Sequence, residues 1–89
     1  MAGPSVPGAR RARFSARAER DYRHLTSAWQ ERVAAAIEDL AVDPLLGKKL
    51  KAELRGHRSY RIGAMRILYS FSADVLDVEA VEDRKDVYR

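Results

Sequence analysis

The sequence predicts an α+β fold in which two N-terminal helices pack on a small antiparallel β-sheet. Three observations predict it. Apolar residues recur at helical spacing as far as Asp43-Pro44, and from Arg58 onward they alternate with period two. The third is size. A chain of 89 residues has room for one domain, and one this short buries only about 60–65% of the surface it exposes when unfolded, which favours two simple layers.

Met1 to Ala9 places Gly3, Pro4, Pro7 and Gly8 in close order with no apolar periodicity. That composition predicts a mobile leader over residues 1–10 and a single domain over residues 11–89. Arg11 to Phe14 reads as a short edge strand. Ser15 suits a helix N-cap, and Ala16 to Leu25 a short helix with Ala18, Tyr22 and Leu25 on one face. Thr26 and Ser27 interrupt it. Ser27 with Gln30 fits a capping box for a second helix. On that helix Trp29, Val33, Ala36, Ile37, Leu40 and Ala41 form one apolar stripe. Asp43-Pro44 ends it, because a residue before proline is pushed out of the α region. Trp29 reads as a core anchor, with nucleobase stacking as the sharper alternative.

Three strands follow. Tyr60 and Ile62 alternate with Ser59 and Arg61, then Met65, Ile67, Tyr69 and Phe71 with Arg66, Leu68 and Ser70. In the last, Leu76, Val78 and Ala80 alternate with Asp77, Glu79 and Val81. Gly63-Ala64 and Ser72-Ala73-Asp74 link the three into an antiparallel meander.

Composition removes several function classes. Hydrophobic residues are 46% and charged residues 34%, which is globular composition. There is no cysteine, so disulfides and thiolate-held metals are excluded, and two unclustered histidines argue against any other metal site. No apolar run is long enough to span a membrane, and Met1 to Arg13 lacks the apolar core of a secretory signal. No P-loop, Ser/His/Asp set or paired-carboxylate arrangement stands out. The charge, by contrast, is informative through its placement. Residues 44–70 carry Lys48, Lys49, Lys51, Arg55, Arg58, Arg61 and Arg66 against Glu53 alone, whereas the whole chain has a formal charge of only +4. Such a localised excess is the footprint of an anionic partner such as nucleic acid, unless it is a solvated basic loop.

Two of these arginines are hard to place on structural grounds. Gly63 at the first central position of a two-residue turn favours type II′, which pairs Ile62 with Met65, Arg61 with Arg66 and Tyr60 with Ile67. Arg61 and Arg66 then stand opposite each other on the uncovered face, and like charges so placed are destabilising. Either an anion such as phosphate bridges the two forks, or each side chain reaches solvent or Asp77 and Glu79 on the next strand. Further on, Arg84 and Tyr88 are four apart and share a side if a helical turn forms there. His57, just before the first of the three strands, reads as a surface residue, although His24 is within its spatial reach.

The ordered set Asp43-Pro44, Gly47-Lys48-Lys49-Leu50, Leu54-Arg55-Gly56, Tyr60-Arg61-Ile62-Gly63, Arg66-Ile67-Leu68-Tyr69 and Arg84-Lys85-Asp86-Val87-Tyr88 resembles the RelE/ParE superfamily, the toxin halves of bacterial type II toxin–antitoxin modules. The resemblance runs from about Phe14 to Tyr88. It implies a small antiparallel sheet against two N-terminal helices, a cytoplasmic setting and a cognate antitoxin as partner. RelE-like members enter the ribosomal A site and cut mRNA without metal or other cofactor, the ribose 2′-hydroxyl attacking the adjacent phosphate. Carried over by position, the resemblance implies catalytic roles for Arg61, Arg66, Arg84 and Tyr88. Lys48, Lys49, Lys51, Arg55 and Arg58 are then expected to bind RNA and ribosome. Gly63 stands where some RelE-like enzymes carry a lysine, and Asp83 where many relatives have histidine. The ParE branch shares the fold, poisons DNA gyrase and lacks the RNA-cleaving set. A member that has lost toxicity and only binds its partner or DNA is a third reading.

Overall fold

A computed structural model describes residues 9–50 and 56–83 of the chain. Strand β1 (Arg11–Phe14) leads into helix α1 (Ala16–Arg23), and helix α2 (Ser27–Val42) ends in a 3-10 turn at Pro44–Leu46. Strands β2 (Lys48–Lys49), β3 (Arg58–Ile62), β4 (Met65–Phe71) and β5 (Val75–Asp83) follow. They make one five-stranded sheet in the order β1-β5-β4-β3-β2. The antiparallel meander is present, and β1 adds to it in parallel alongside β5. The sheet is therefore mixed, because the first helix carries the chain over to start a second layer before the meander is made.

The helices begin as their side chains dictate. Ser15 Oγ accepts the Ala18 N–H at 3.0 Å and donates to the Glu79 carbonyl at 2.7 Å, so one hydroxyl caps α1 and ties it to β5. α2 is capped one residue earlier than the capping-box reading placed it. Thr26 Oγ1 accepts the Trp29 N–H, and the Gln30 amide is used elsewhere, donating to the Tyr22 carbonyl at 2.9 Å. Tyr22 Oη returns a hydrogen bond to the Gln30 carbonyl, which locks the two helices together. Asp43 closes α2, and its carboxylate accepts the Leu45 N–H that opens the 3-10 turn.

Val33, Ala36, Ile37 and Leu40 on α2 meet Met65, Ile67 and Tyr69 on β4 and Leu76, Val78 and Val81 on β5. Trp29 packs at the margin of this core, with the Arg32 guanidinium 4.3 Å from its ring centre, so the anchor reading of Trp29 is the one its contacts match. Tyr69, fully buried, donates from Oη to the Pro44 carbonyl at 2.5 Å and accepts the Gly47 N–H at 3.0 Å. That bridge fixes the turn from which β2 departs. A side chain at Gly47 would collide with Tyr69 and with the Ser59 carbonyl, which explains the glycine.

The strand alternation is not uninterrupted. Tyr69 pairs with Val78 but Leu68 pairs with Ala80, leaving Glu79 as an extra residue in a β-bulge. Ala80 is thereby moved off the face of Leu76 and Val78, where unbroken alternation had put it, and Val81 takes its place in the core.

Candidate functional site

The face of the sheet turned away from α2 is organised in rows by the strand pairing. The β3–β4 register is the expected one: Ile62 opposite Met65, Arg61 opposite Arg66, Tyr60 opposite Ile67. Gly63 has φ +60° while no non-glycine residue among the described residues has positive φ, which matches a type II′ turn. Across β4, Arg66 faces Glu82 on the other side. Arg61, Arg66 and Glu82 thus form one row, and Lys48, Ser59, Leu68 and Ala80 form the next. Successive same-face rows lie about 7 Å apart, which is close to the spacing of successive backbone phosphates.

Charge within the first row is unevenly matched. Glu82 Oε1 accepts from Arg66 Nη2 at 2.6 Å and Nε at 3.2 Å. Its Oε2 accepts from Arg17 Nη2 at 2.7 Å, and Arg17 Nε lies 3.6 Å from Asp21. Arg61 is exposed, and no ion pair to it occurs among the described residues. One carboxylate therefore relieves the repulsion between the facing arginines. Burial alone would raise the Glu82 carboxyl, but hydrogen bonds and attraction from Arg66 and Arg17 outweigh it, so it stays below the usual carboxylate range.

Asp77 and Glu79 on the adjoining strand were one alternative for the arginines, and the structure gives both acids other partners. Asp77 is bound by Arg13 at 2.7 Å, and Glu79 lies 3.9 Å from His57 Nε2. The bulge decides which residue of β5 meets Arg66. With unbroken pairing Val81 would stand opposite Arg66; the extra residue brings Glu82 there. Beside the row is a pocket of about 430 Å³, lined by Arg17, Leu50, His57, Leu68, Glu79 and Ala80 among others. His57 Nδ1 is buried there with no hydrogen-bond partner among the described residues. His24 is elsewhere, at the end of α1 with Nδ1 2.7 Å from the Arg20 carbonyl.

Of the residues singled out from sequence, Arg61, Arg66 and Lys48 come together on this face. Lys49 and Arg58 pair on the opposite face, since Arg58 is also opposite the buried Tyr69. Arg58 is used structurally, donating to the Gly47 carbonyl at 2.7 Å. Lys51, Arg55, Arg84 and Tyr88 lie outside the described residues. Sequence reasoning missed Arg17 and Glu82. The doublet Ala80-Val81, which interrupts the polar–apolar alternation, was the available signal for the bulge that positions Glu82. Among the described residues no three His, Cys, Asp or Glu side chains group as a metal ion requires, and no helix is long and apolar enough to cross a membrane.

Comparison with known proteins gives one answer at the level of the superfamily. The family model described as "ParE toxin of type II toxin-antitoxin system, parDE" matches residues 12–88. A chain of the RelBE2 toxin–antitoxin complex from Mycobacterium tuberculosis is 31% identical, with a TM-score of 0.80 over 89% of this chain and 95% of that one. The fold is shared with the YoeB dimer of Staphylococcus aureus, at 19% identity and TM-score 0.73 over 83% of this chain and 95% of that one. It is shared as well with the isolated Escherichia coli RelE toxin, at 20% identity and TM-score 0.71 over 86% and 88%. None of the curated proteins compared with the chain matches it. The matched span, the two helices on a mainly antiparallel sheet and the likeness to RelBE2 agree: the chain belongs to the RelE/ParE superfamily of type II toxin–antitoxin toxins, with its RelE-like branch the better supported.

Proposed function

We propose that the chain is a RelE-like, metal-independent endoribonuclease that cuts mRNA on the ribosome and is restrained in the cytoplasm by a cognate antitoxin. The observation that carries this reading is the Arg61–Arg66 pair, set face to face by the hairpin register on a solvent-reachable sheet face. When the ribose 2′-hydroxyl attacks the adjacent phosphate, the phosphorane gains negative charge. Guanidiniums brought to that position stabilise the gain more than they stabilise the ground state. Arg84 and Tyr88 complete the proposed set, with Tyr88 orienting or deprotonating the 2′-hydroxyl while an arginine of the set stabilises or protonates the leaving 5′-oxygen. Lys48 extends the anion path one row along β2. The remaining basic residues, Lys49, Lys51, Arg55 and Arg58, are proposed to meet RNA or ribosome around the site, with Arg58 also holding the Gly47 turn. A partner antitoxin is supported by the similar structures, several of which are toxin–antitoxin complexes.

The test is to map mRNA 5′ ends in a translating extract with wild-type protein and with Arg66→Ala. Codon-phased cuts that fall about 10²–10³-fold in rate in the variant are expected, the usual cost of removing one preorganised charge from a transition state. Absence of phased cuts with folded wild-type protein overturns the reading. The match to a ParE family model favours a second one, a non-catalytic toxin acting on DNA gyrase. Gyrase supercoiling that is unchanged by a molar excess of the protein removes that alternative.

A further inference from the structure

The Glu82 carboxylate is held as a phosphate would be. Two guanidiniums from different elements, Arg17 on α1 and Arg66 on β4, each take one of its oxygens at 2.6–2.7 Å. Arginine forks recognise carboxylate and phosphate by the same paired-oxygen geometry. Both arginines are open to solvent, at 54% and 39% side-chain exposure, whereas Glu82 is 16% exposed. The arrangement depends on the bulge, without which an apolar valine would stand opposite Arg66. The pocket that Arg17 helps to line opens directly beside the pair and offers about 430 Å³ for the sugar or base attached to a bound phosphate.

From this we infer that the gap between Arg17 and Arg66 is a phosphodiester-binding site, that Arg17 is one of its ligands, and that Glu82 is an internal anion which the substrate phosphate displaces. Glu82 then acts as a filter. Arg61 and Arg66 on the sheet and Arg17 on α1, left bare, would bind any polyanion; with Glu82 in place, a loosely held strand competes poorly. A phosphate fixed in position by a larger assembly, and so relieved of most of its ordering cost, displaces the carboxylate. Once displaced, Glu82 stays within the reach of its own side chain, ready to recapture the arginines when the product leaves. This inference rests on the reading of the face as RNA-binding, but it concerns phosphate capture by the free protein and needs no ribosome to be tested.

The experiment titrates the protein with a single-stranded, 2′-O-methyl hexaribonucleotide, which cannot be cut, while recording the arginine Nε–H signals by NMR. The Arg17 and Arg66 signals are expected to shift together along one binding curve. Glu82→Gln, nearly isosteric, is expected to tighten binding about tenfold at low salt, the effect of removing one well-screened charge some 4–5 Å from the phosphate. Adding Arg17→Ala to Glu82→Gln should cancel most of that gain. An Arg17 signal that does not move during the wild-type titration overturns the inference, and that arm holds even if Glu82→Gln fails to fold. Unchanged or weaker binding by folded Glu82→Gln overturns it as well. Joint shifts without phased mRNA cuts in the extract would leave this inference standing and remove the ribosomal function. Phased cuts with a silent Arg17 would do the reverse.

Discussion

Replacing Tyr69 by phenylalanine tests how the core of this domain positions its basic face. Tyr69 is fully buried, and its hydroxyl joins the Pro44 carbonyl and the Gly47 N–H, both on buried residues. Tyr69→Phe keeps the ring and removes both hydrogen bonds, leaving a carbonyl and an N–H unpaired out of reach of water. Each such orphan costs about 1–3 kcal/mol, and the lost desolvation of the hydroxyl returns part of it. The net destabilisation is about 2–4 kcal/mol, a large share of the roughly 5–13 kcal/mol available to a domain this size. For 60–100 residues each kcal/mol moves the melting temperature about 4–8 °C, so a fall of about 8–32 °C is expected. Calorimetric melts of the two proteins at matched pH measure it, and hydrogen exchange at Gly47 should quicken in parallel. A fall below about 3 °C would refute the claim that this bridge anchors the turn leading to Lys48.

Other outcomes follow from the same structure. Gly63→Ala should destabilise by about 1–2 kcal/mol in denaturant melts, because φ is +60° there and the new methyl carbon would sit 3.3 Å from the Trp29 ring. Ser15→Ala removes both the α1 cap and the tie to Glu79 and should cost about 1–2 kcal/mol by the same measurement. Glu82 has a folded-state carboxyl held below its unfolded value, so its contribution is complete above about pH 4.3 and is lost as pH falls through the folded value. The stability gap between wild type and Glu82→Gln should accordingly narrow as pH falls through and below the ordinary carboxylate range; a gap that widens on acidification would contradict the sign. Leu40→Ala, at a fully buried position on α2, should cost about 2–5 kcal/mol.

Local rules served where one residue decides the geometry. Gly63 alone selects the turn, the turn selects the register, and the register brings Arg61 against Arg66 before any tertiary contact is considered. The apolar stripe of α2 was legible for the same reason, since period and proline stop are both written locally. The helix cap shifted by one because Thr26 and Ser27 are equally able caps and the deciding contact, Gln30 with Tyr22, lies between two helices. Arg17 and Glu82 are 65 residues apart and meet only because a bulge rephases β5, so pairwise spacing could not reveal them. Arg58 shows the converse. Its charge read as part of a basic surface, but strand parity turns it to the other face, where backbone carbonyls of the preceding turn take it up.

The place of β5 in the sheet has a consequence for how the molecule is made. It is the last described strand to be synthesised, yet it sits between β1 and β4. Arg11 to Phe14 are made well before Val75 to Val78 and have no strand to join until those arrive. The ties of α1 to the sheet wait as well, since Ser15 and Asp21 bond to the backbone of Glu79 and Val81. Until β5 is made, the two helices and the β3–β4 hairpin therefore lack the strand that joins them. The row Arg61, Arg66, Glu82 and Arg17 comes together only when the final strand is free to enter. Assembly of the anionic site is thus a late event, and a partner that binds the nascent chain would meet it before that site exists.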